Sequence, residues 1–435
     1  MTDSPTSPEP KPGPARPRGE PVRRDRIRAT CRETAQRHAS ALTGLARSLH
    51  AHPETAFAEH RSAAEVSGLL AEHGFRVRTP VAGLDTAFTA EFGSGEFVVG
   101  ICAEYDALPG VGHACGHNLI AAAAVGAALA LAEVADELGL TVRVLGTPAE
   151  ELGGGKVLML ERGAFDGLWM AMMVHPGPED ICAPRSLAIN DLEVRYRGRA
   201  AHAASAPELG RNAADAITVA QVAIGLLRQH LEPEQMVHGI VTDGGAAPNI
   251  VPAETAATYN LRAAGVAALE RLENRIRACF EAGATATGCT HEVVQISPVY
   301  TELAADEQLS EAYRSAAVEL GRRPLGRAEQ ARRVIGSTDM GNVTRWLPAI
   351  HPMIAIDCGD AVNHQAEFAA ACASPSGDRA VLDGATAMAW TAVTAAADPE
   401  HRAQLAALAR DRPDRAPGRA EEHDGAGAGG DLRPV

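Results

Sequence analysis

Short apolar runs alternate along most of the chain with longer stretches in which apolar residues recur at helical spacing. The apolar runs have the length of buried strands and lie at 97–102, 141–147, 168–174 and 349–356. The helical stretches lie at 38–50, 60–73, 119–137, 156–163, 307–320 and 378–396. This alternation predicts an α/β domain with a mostly parallel sheet, and the ligands of such sheets gather at the carboxyl ends of the strands.

The middle of the chain has a different order of elements. Strand and helix patterns follow one another as β-α-β-β-α-β, at 189–196, 211–231, 237–243, 255–262, 266–284 and 291–297. That order is typical of a ferredoxin-like unit. We therefore predict a small domain over 188–298, inserted into a larger domain that is made of 23–187 and 299–397.

The two ends of the chain lack these patterns. Residues 1–22 are rich in proline, serine, arginine and glycine, and residues 398–435 turn to arginine, aspartate, proline and glycine. Segments of this composition bury too little apolar surface to offset the entropy of ordering. The sequence predicts a disordered arm over 1–22 and a disordered tail over 398–435.

Composition excludes several classes of protein. The formal net charge of −15 over 435 residues argues against a nucleic-acid partner, because nucleic-acid binders need a basic surface. No uninterrupted apolar run approaches the roughly 20 residues that span a bilayer, and the N-terminus lacks the apolar segment of a secretory signal. The eight cysteines are scattered rather than arranged as a small disulfide framework. We expect a cytoplasmic protein with free thiols and no membrane partner.

The densest group of metal-competent side chains follows the first apolar run. Glu104 and Asp106 come directly after it, and Cys115 and His117 follow with Gly116 between them. Glycine lets the backbone turn so that both neighbouring side chains can face one ion. A thiolate sulfur and an imidazole nitrogen are ligands that borderline divalent metals prefer.

Polar side chains also follow the other predicted strands. Glu150 and Glu151 come after 141–147, His175 comes after 168–174, and His364 stands late in the chain. An α/β sheet would bring these positions together at one edge. Two adjacent carboxylates in a turn can point in different directions, so one can bind a metal while the other takes a proton from water. The pattern predicts metal-assisted hydrolysis.

These residues resemble those of the co-catalytic zinc peptidases, peptidase family M-twenty, over about residues 30–397. The family includes aminoacylases, carboxypeptidase G-type enzymes and amidohydrolases, and the similarity is greatest to the p-aminobenzoyl-glutamate hydrolase and β-alanyl/lysyl dipeptidase-like members. Five segments carry the resemblance: EYDALPGVGHACGHN, GTPAEELGGGK, GRAAHAA, PNIVP and STDMGNV.

The resemblance implies a centre of two divalent metal ions, either zinc or manganese, with cobalt as a further alternative. Cys115 would bridge the two ions. The implied terminal ligands are His117, Glu151, His175 and His364. The larger domain would then be the metal-dependent catalytic domain, and the inserted domain would be its lid and dimerisation domain.

The resemblance also implies roles around the metals. Glu150 would be the general acid and base, and Asp106 would orient a ligand imidazole. His202 would stabilise the oxyanion and reach across a homodimer formed by the lids. Asn249 and Arg262 would hold a substrate carboxylate.

The implied activity is hydrolysis of an amide bond in a small molecule: an N-acyl amino acid, a dipeptide or a substrate like p-aminobenzoyl-glutamate. Two alternatives stay open, namely a non-catalytic metal-binding homologue and a hydrolase with Cys115 as its nucleophile. Glu104 stands where many family members carry a ligand histidine, Cys115 stands where many have a bridging aspartate, and Asn118 replaces a common aspartate. These departures leave the metal count and the metal preference open.

Overall fold

The computed structural model describes residues 19–413. The first part of the chain contributes most of a central sheet and the helices that cover it. Its helices are α1 (Gly19–Arg37), α2 (Ala39–Ala51), α3 (His60–Glu72), α4 (His117–Ala132), α5 (Ala135–Leu138) and α6 (Gly155–Glu161). Its strands are β1 (Arg76–Arg78), β2 (Phe88–Gly93), β3 (Phe97–Glu104), β4 (Leu140–Thr147), β5 (Met170–Met172) and β6 (His175–Gly177).

The middle of the chain forms the inserted unit. Its elements are β7 (Ala188–Arg197), α7 (Ala213–Leu227), β8 (Met236–Asp243), β9 (Glu254–Ala263), α8 (Val266–Thr287) and β10 (Thr290–Gln295). Their order is β-α-β-β-α-β, and the strands make an antiparallel sheet in the order β10-β7-β9-β8. Alternate residues of β7 and β9 are buried, because α7 and α8 cover one face of the sheet.

The chain then returns to the larger domain. Its remaining elements are α9 (Glu307–Glu319), α10 (Arg327–Gln330), α11 (Met340–Trp346), β11 (Ala349–Ile350), β12 (Met353–Ala355), α12 (Ala366–Cys372), α13 (Pro375–Ala397) and α14 (Pro399–Asp411). The predicted strand over 349–356 is therefore two short strands, with His351 and Pro352 between them. Proline has no N–H to donate to a ladder, so a strand interior disfavours it.

The central sheet has the order β1-β2-β4-β3-β5-β11. Strand β3 pairs in parallel with β4 and β5, β5 pairs in parallel with β11, and only the edge formed by β1 and β2 is antiparallel. The mixed α/β architecture with a parallel-rich sheet is as predicted. In the β3–β4 register Glu104 lies opposite Thr147, so the segments that follow both strands begin side by side.

The core of the larger domain lies between the sheet and a layer of helices. All of α4 up to Leu131 is buried, and its many alanines allow α13 to pack closely against it. Helix α13 is long and apolar enough to cross a bilayer by length and composition alone, but 78% of its apolar window is buried inside the protein. It therefore packs as a core helix.

The predicted disordered tail is wrong at its beginning. Asp398 starts α14 by accepting hydrogen bonds from the backbone N–H groups of Glu400 and His401, and Leu405 on this helix is buried. The capping aspartate followed by proline is a helix-start signal that the arginine-rich composition concealed. In the predicted arm, residues 19–22 belong to α1, while 1–18 and 414–435 lie outside the described residues.

Candidate metal centre

Cys115 and His117 reach the carboxyl end of the central sheet through a tight turn. Gly116 has φ +81°, and a Cβ at this position would lie 2.3 Å from Cγ of Pro176. Only glycine fits both the left-handed backbone and the close approach. The turn ends at the start of α4, so His117 is held on the first residue of a buried helix.

Hydrogen bonds fix the tautomers of two buried imidazoles. His117 Nδ1 lies 3.0 Å from Oδ1 of Asp106, and His175 Nδ1 lies 2.8 Å from the carbonyl oxygen of Pro176. A carbonyl can only accept, so Nδ1 of His175 carries the proton, and the carboxylate favours the same arrangement in His117. In the neutral form of each ring, Nε2 then has the lone pair that a metal ion would bind.

Cys115 joins two groups of candidate ligands. Its sulfur lies 3.5 Å from Nε2 of His175. Ligand atoms of Cys115, His117 and His175 lie within 4.8 Å of one another, and so do those of Cys115, Glu151 and His364. One sulfur atom therefore belongs to both groups, which is the arrangement that a shared ligand requires.

His364 approaches the site from the second half of the larger domain. Its N–H donates to the carbonyl of Ala114, and its Nε2 lies 3.5 Å from Oε2 of Glu151. The residue has φ +74°, a left-handed conformation that is rare for a residue with a side chain. Strain of this kind persists only where surrounding contacts hold it, and it clusters at functional sites.

The two adjacent glutamates lie in a turn whose backbone is tied at three consecutive residues. Ala149, at φ +58°, donates its N–H to Glu59 at 2.9 Å. The carbonyl of Glu150 accepts from the hydroxyl of Tyr300 at 2.8 Å, and the N–H of Glu151 donates to Asp106 at 3.0 Å. These bonds hold the turn in a position where both glutamates line the cavity.

Buried carboxylates dominate the electrostatics of the site. Burial, together with the charges of Glu104 and Glu151, raises the pKa of Glu150 well above its usual range. Burial works against a charged His117, but the carboxylates of Asp106 and Glu104 outweigh it and raise the pKa of that imidazole. A site that holds a proton this tightly on an imidazole also attracts a divalent cation.

A buried lysine forms an ion pair with one of these carboxylates. Lys156 Nζ lies 2.5 Å from Oε1 of Glu104 and 2.7 Å from Oδ1 of Asp339, and all three side chains are fully buried. The other oxygen of Glu104 lies 3.3 Å from His117 Nε2. Burial lowers the pKa of Lys156, but Asp339 and Glu104 outweigh it and raise that pKa. The ammonium therefore stays charged.

The donor set fits divalent metals. Nε2 of His117 and Oε1 of Glu151 are buried without a hydrogen-bond partner, and an orphaned buried donor or acceptor is costly. Sulfur, nitrogen and carboxylate oxygen together suit zinc and other borderline ions. The five predicted ligands, Cys115, His117, Glu151, His175 and His364, are all among the side chains whose ligand atoms lie close together, and a third group joins Glu150 to His117 and Glu151.

A cavity of about 480 Å³ opens beside these ligands. It is lined by both domains, since Arg262 of β9 and Asp191 of β7 face it together with Glu150 of the larger domain. This volume suits a small molecule. The predicted substrate residue Arg262 is therefore at the cavity, where its Nη1 donates to Ser337 across the domain boundary.

The structure leaves two predicted site residues away from this cavity. His202 and Asn249 are exposed, and neither lines the cavity of its own chain. They neighbour each other, because the N–H of Ala203 donates to the carbonyl of Asn249 and a bridge joins His202 to Ile250. The two residues thus lie on neighbouring backbone segments of the inserted unit.

Sequence reasoning missed the residues that support the site from behind. Glu59 and Tyr300 carry no motif, and nothing in their local patterns signals contact with the glutamate turn. Lys156 did carry a signal, because the chain has only one other lysine, Lys11, among its 40 basic residues. A single lysine after three glycines, in a chain whose other basic residues are nearly all arginine, indicates a position where arginine cannot replace lysine.

The fold and the site together define a metal-dependent hydrolase of amide bonds, with a catalytic domain and a lid. The chain belongs to Peptidase family M20/M25/M40, whose profile matches residues 100–385. It is 38% identical over 375 residues to an Xaa-Arg dipeptidase of Mus musculus, which covers 82% of this chain and 85% of that protein. It is 35% identical over 271 residues to one of the p-aminobenzoyl-glutamate hydrolase polypeptides of Escherichia coli (strain K12), covering 58% of this chain and 56% of that protein.

Solved structures share the fold. A Bacillus subtilis protein described as a dinuclear metal-binding peptidase of the same family superposes with a TM-score of 0.64 at 22% identity, covering 82% of this chain and 98% of that one. The two-domain architecture is therefore that of this family.

Proposed function

We propose that the protein hydrolyses the amide bond between an acyl or aminoacyl group and an amino acid with a free carboxylate, with Glu150 as its general acid and base. One observation carries the proposal: Glu150 lies in the same cavity as a ligand set in which Cys115 is common to two groups. Burial and the neighbouring carboxylates raise the pKa of Glu150, and a raised pKa makes its carboxylate a stronger base towards water and its carboxylic acid a proton donor near neutral pH.

The proposed centre holds two divalent ions, of zinc, manganese or cobalt. Cys115 would be their shared ligand, with His117 and His175 on one side and Glu151 and His364 on the other. When bound, such ions would polarise the amide carbonyl and lower the pKa of a water molecule. Asp106 would keep the imidazole of His117 in the tautomer that leaves Nε2 free.

Residues of the chain would transfer the proton and bind the substrate. Glu150 takes a proton from the attacking water and delivers it to the leaving nitrogen, so one carboxylate serves both steps. Arg262 binds the carboxylate of the amino acid to be released, since its guanidinium reaches the cavity with only neutral hydrogen-bond partners. The relatives named above suggest two kinds of released amino acid, a cationic one such as arginine and an anionic one such as glutamate.

We further propose a homodimer formed by the lids. Strand β8 is an edge strand with exposed apolar residues, including Ile240 at 62%, and α7 exposes Leu226 at 65%. An unpaired edge with exposed apolar side chains favours pairing with a second copy. In such a dimer His202 and Asn249 would serve the cavity of the partner, which accounts for their position outside their own.

A cytoplasmic location completes the proposal. All eight cysteines are free thiols, and none forms a disulfide with another. Such a set is typical of a reducing compartment.

The test of the function is a Glu150→Gln variant, loaded with metal and assayed on N-acyl amino acids and dipeptides. We expect the variant to keep the metal content of the wild type and to lose about 10²–10⁴-fold in kcat. Glu161→Gln, on an exposed position of α6, is the matched control and should keep wild-type kcat. Wild-type turnover by metal-loaded Glu150→Gln would overturn the mechanism.

A further inference from the structure

Four charged side chains line the cavity outside the candidate metal ligands and Glu150: Glu179, Asp191, Arg262 and Arg333. Glu179 and Arg333 neutralise each other, because the guanidinium donates to both carboxylate oxygens at 2.7 Å. A bidentate pair of this kind has no charge left over for a ligand. The charges still open to a substrate are therefore those of Asp191 and Arg262.

The lid holds these two charges with neutral groups. Asp191 accepts from the amide of Asn260 at 2.6 Å and from the hydroxyl of Ser297 at 3.2 Å. Arg262 donates to the amide oxygen of Asn260 at 3.0 Å and to Ser337 at 3.1 Å. Within the described residues, the side-chain hydrogen-bond partners of both are these neutral groups. Asn260 thus bridges the two charges and fixes their separation.

The strand register places the two charges on one face of the lid sheet. Asp191 lies opposite Asn260, and Arg262 lies two residues further along β9. Diagonal neighbours on one face of antiparallel strands are roughly 7–8 Å apart. Burial lowers the pKa of Arg262 and the charge of Asp191 opposes that shift, so each charge lies within the field of the other.

Resting on the proposed function, we propose that Asp191 is a specificity-determining residue, which binds the cationic side chain of the amino acid that Arg262 holds by its carboxylate. The substrate class is then an amide of arginine, lysine or a similar basic amino acid. The two opposite charges of such an amino acid would match the Arg262–Asp191 pair.

The same geometry disfavours the anionic alternative. A glutamate side chain bound by its α-carboxylate at Arg262 would bring a second carboxylate towards Asp191, and like charges in a partly buried cavity repel. The position of Asp191 also favours the side chain of the released residue over the amino terminus of a dipeptide. With the carboxylate at Arg262, the amino terminus would lie beyond the scissile bond, towards the candidate metal ligands, whereas Asp191 is joined to Arg262 through Asn260.

Citrulline provides a neutral match for arginine, so the test compares the two. The kcat/KM values of N-acetyl-arginine and N-acetyl-citrulline are measured with wild type, Asp191→Asn and Asp191→Ser. Glu193→Gln is the matched control, because Glu193 lies on the same face of β7 but outside the cavity. We expect wild type and Glu193→Gln to prefer the arginine compound by about tenfold or more, which is about 1.4 kcal/mol or more. Both Asp191 variants should lose most of that preference.

Binding of free L-arginine and L-citrulline by calorimetry separates this inference from the proposed function. If metal-loaded wild type cleaves no amide but still binds arginine more tightly in a way that needs Asp191, the function fails and the inference stands. Equal affinity of wild type for L-arginine and L-citrulline overturns the inference. A preference for arginine that survives in both folded Asp191 variants overturns it as well. So does a kcat/KM that depends on Asp191 for Gly-Arg, which has a free amino terminus, but not for N-acetyl-arginine.

Discussion

The carboxylate of Glu59 accepts a hydrogen bond from the backbone N–H of Ala149, the residue before the glutamate turn, at 2.9 Å. Its second oxygen accepts from the hydroxyl of Thr86 at 2.8 Å. Glu59 is fully buried, and burial together with the charge of Asp106 raises its pKa from 4.5 to about 7. A residue that no motif marks therefore helps to fix the backbone of the proposed catalytic turn.

This raised pKa predicts a pH dependence of stability. The folded state holds the proton of Glu59 more tightly than the unfolded chain, so its effect on stability becomes less favourable as pH rises from 4.5 to about 7. Glu59→Gln removes this cost, which is about 3 kcal/mol at most. Urea unfolding at pH 5 and pH 8 should show a smaller loss of stability in the variant than in wild type.

The control for this measurement is Glu72→Gln, at an exposed position of α3. Its unfolding free energy should follow that of wild type at both pH values. Identical pH slopes for Glu59→Gln and wild type would contradict the prediction.

The buried pair of Lys156 and Glu104 predicts non-additive effects. Lys156→Met leaves two buried carboxylates without their cation, and breaking such a pair costs about 3–5 kcal/mol. Adding Glu104→Gln removes one of the unpaired charges and should recover part of the loss. A double-mutant cycle by urea unfolding measures the coupling. Costs that simply add would show that the two groups do not stabilise each other.

Asp106 predicts an effect on metal binding. It accepts from Nδ1 of His117 and from the N–H of Glu151, so it orients two of the proposed ligands. Replacing a group that supports a ligand in this way costs about 10–100-fold in metal affinity. Chelator competition should show this loss for Asp106→Asn. The exposed Asp136→Asn should bind metal as wild type does, and equal affinity in both variants would remove Asp106 from this role.

The position of His202 predicts complementation between subunits. If it serves the cavity of a partner, His202→Ala and Glu150→Gln are each inactive, but a mixed dimer has one complete site. Random mixing makes half of the dimers mixed, so co-expression should restore about one quarter of wild-type activity. If the mixture is no more active than the single variants, His202 does not act in the cavity of the partner subunit.

Much of the architecture follows from the sequence because its strands are buried on both sides. Strand β3 reads as an uninterrupted apolar run, and the structure places it at the centre of the sheet with helices packed on it. Strand β2 was not predicted, because its later residues are only half-buried at the antiparallel side of the sheet and its pattern is weak. Helix α1 was missed because its charged residues obscure the few buried positions, such as Ile27 and Cys31.

The convergence of the candidate ligands was predictable for a related reason. They follow strands whose carboxyl ends meet at one edge, so their convergence is a consequence of topology. Asp191 and Tyr300 were not predictable, because their place in the cavity depends on how the lid and the larger domain pack together. No spacing within one segment of sequence encodes that packing.

The burial of Lys156 has a practical consequence for chemical labelling. An amine-reactive reagent reaches a side chain only through solvent, and the ammonium of Lys156 has no contact with solvent while the domain is folded. Since Lys11 is the only other lysine, a peptide map that finds the reagent on residue 156 would report molecules whose interior had opened. The chain thus contains its own sensor of unfolding, with no engineered probe.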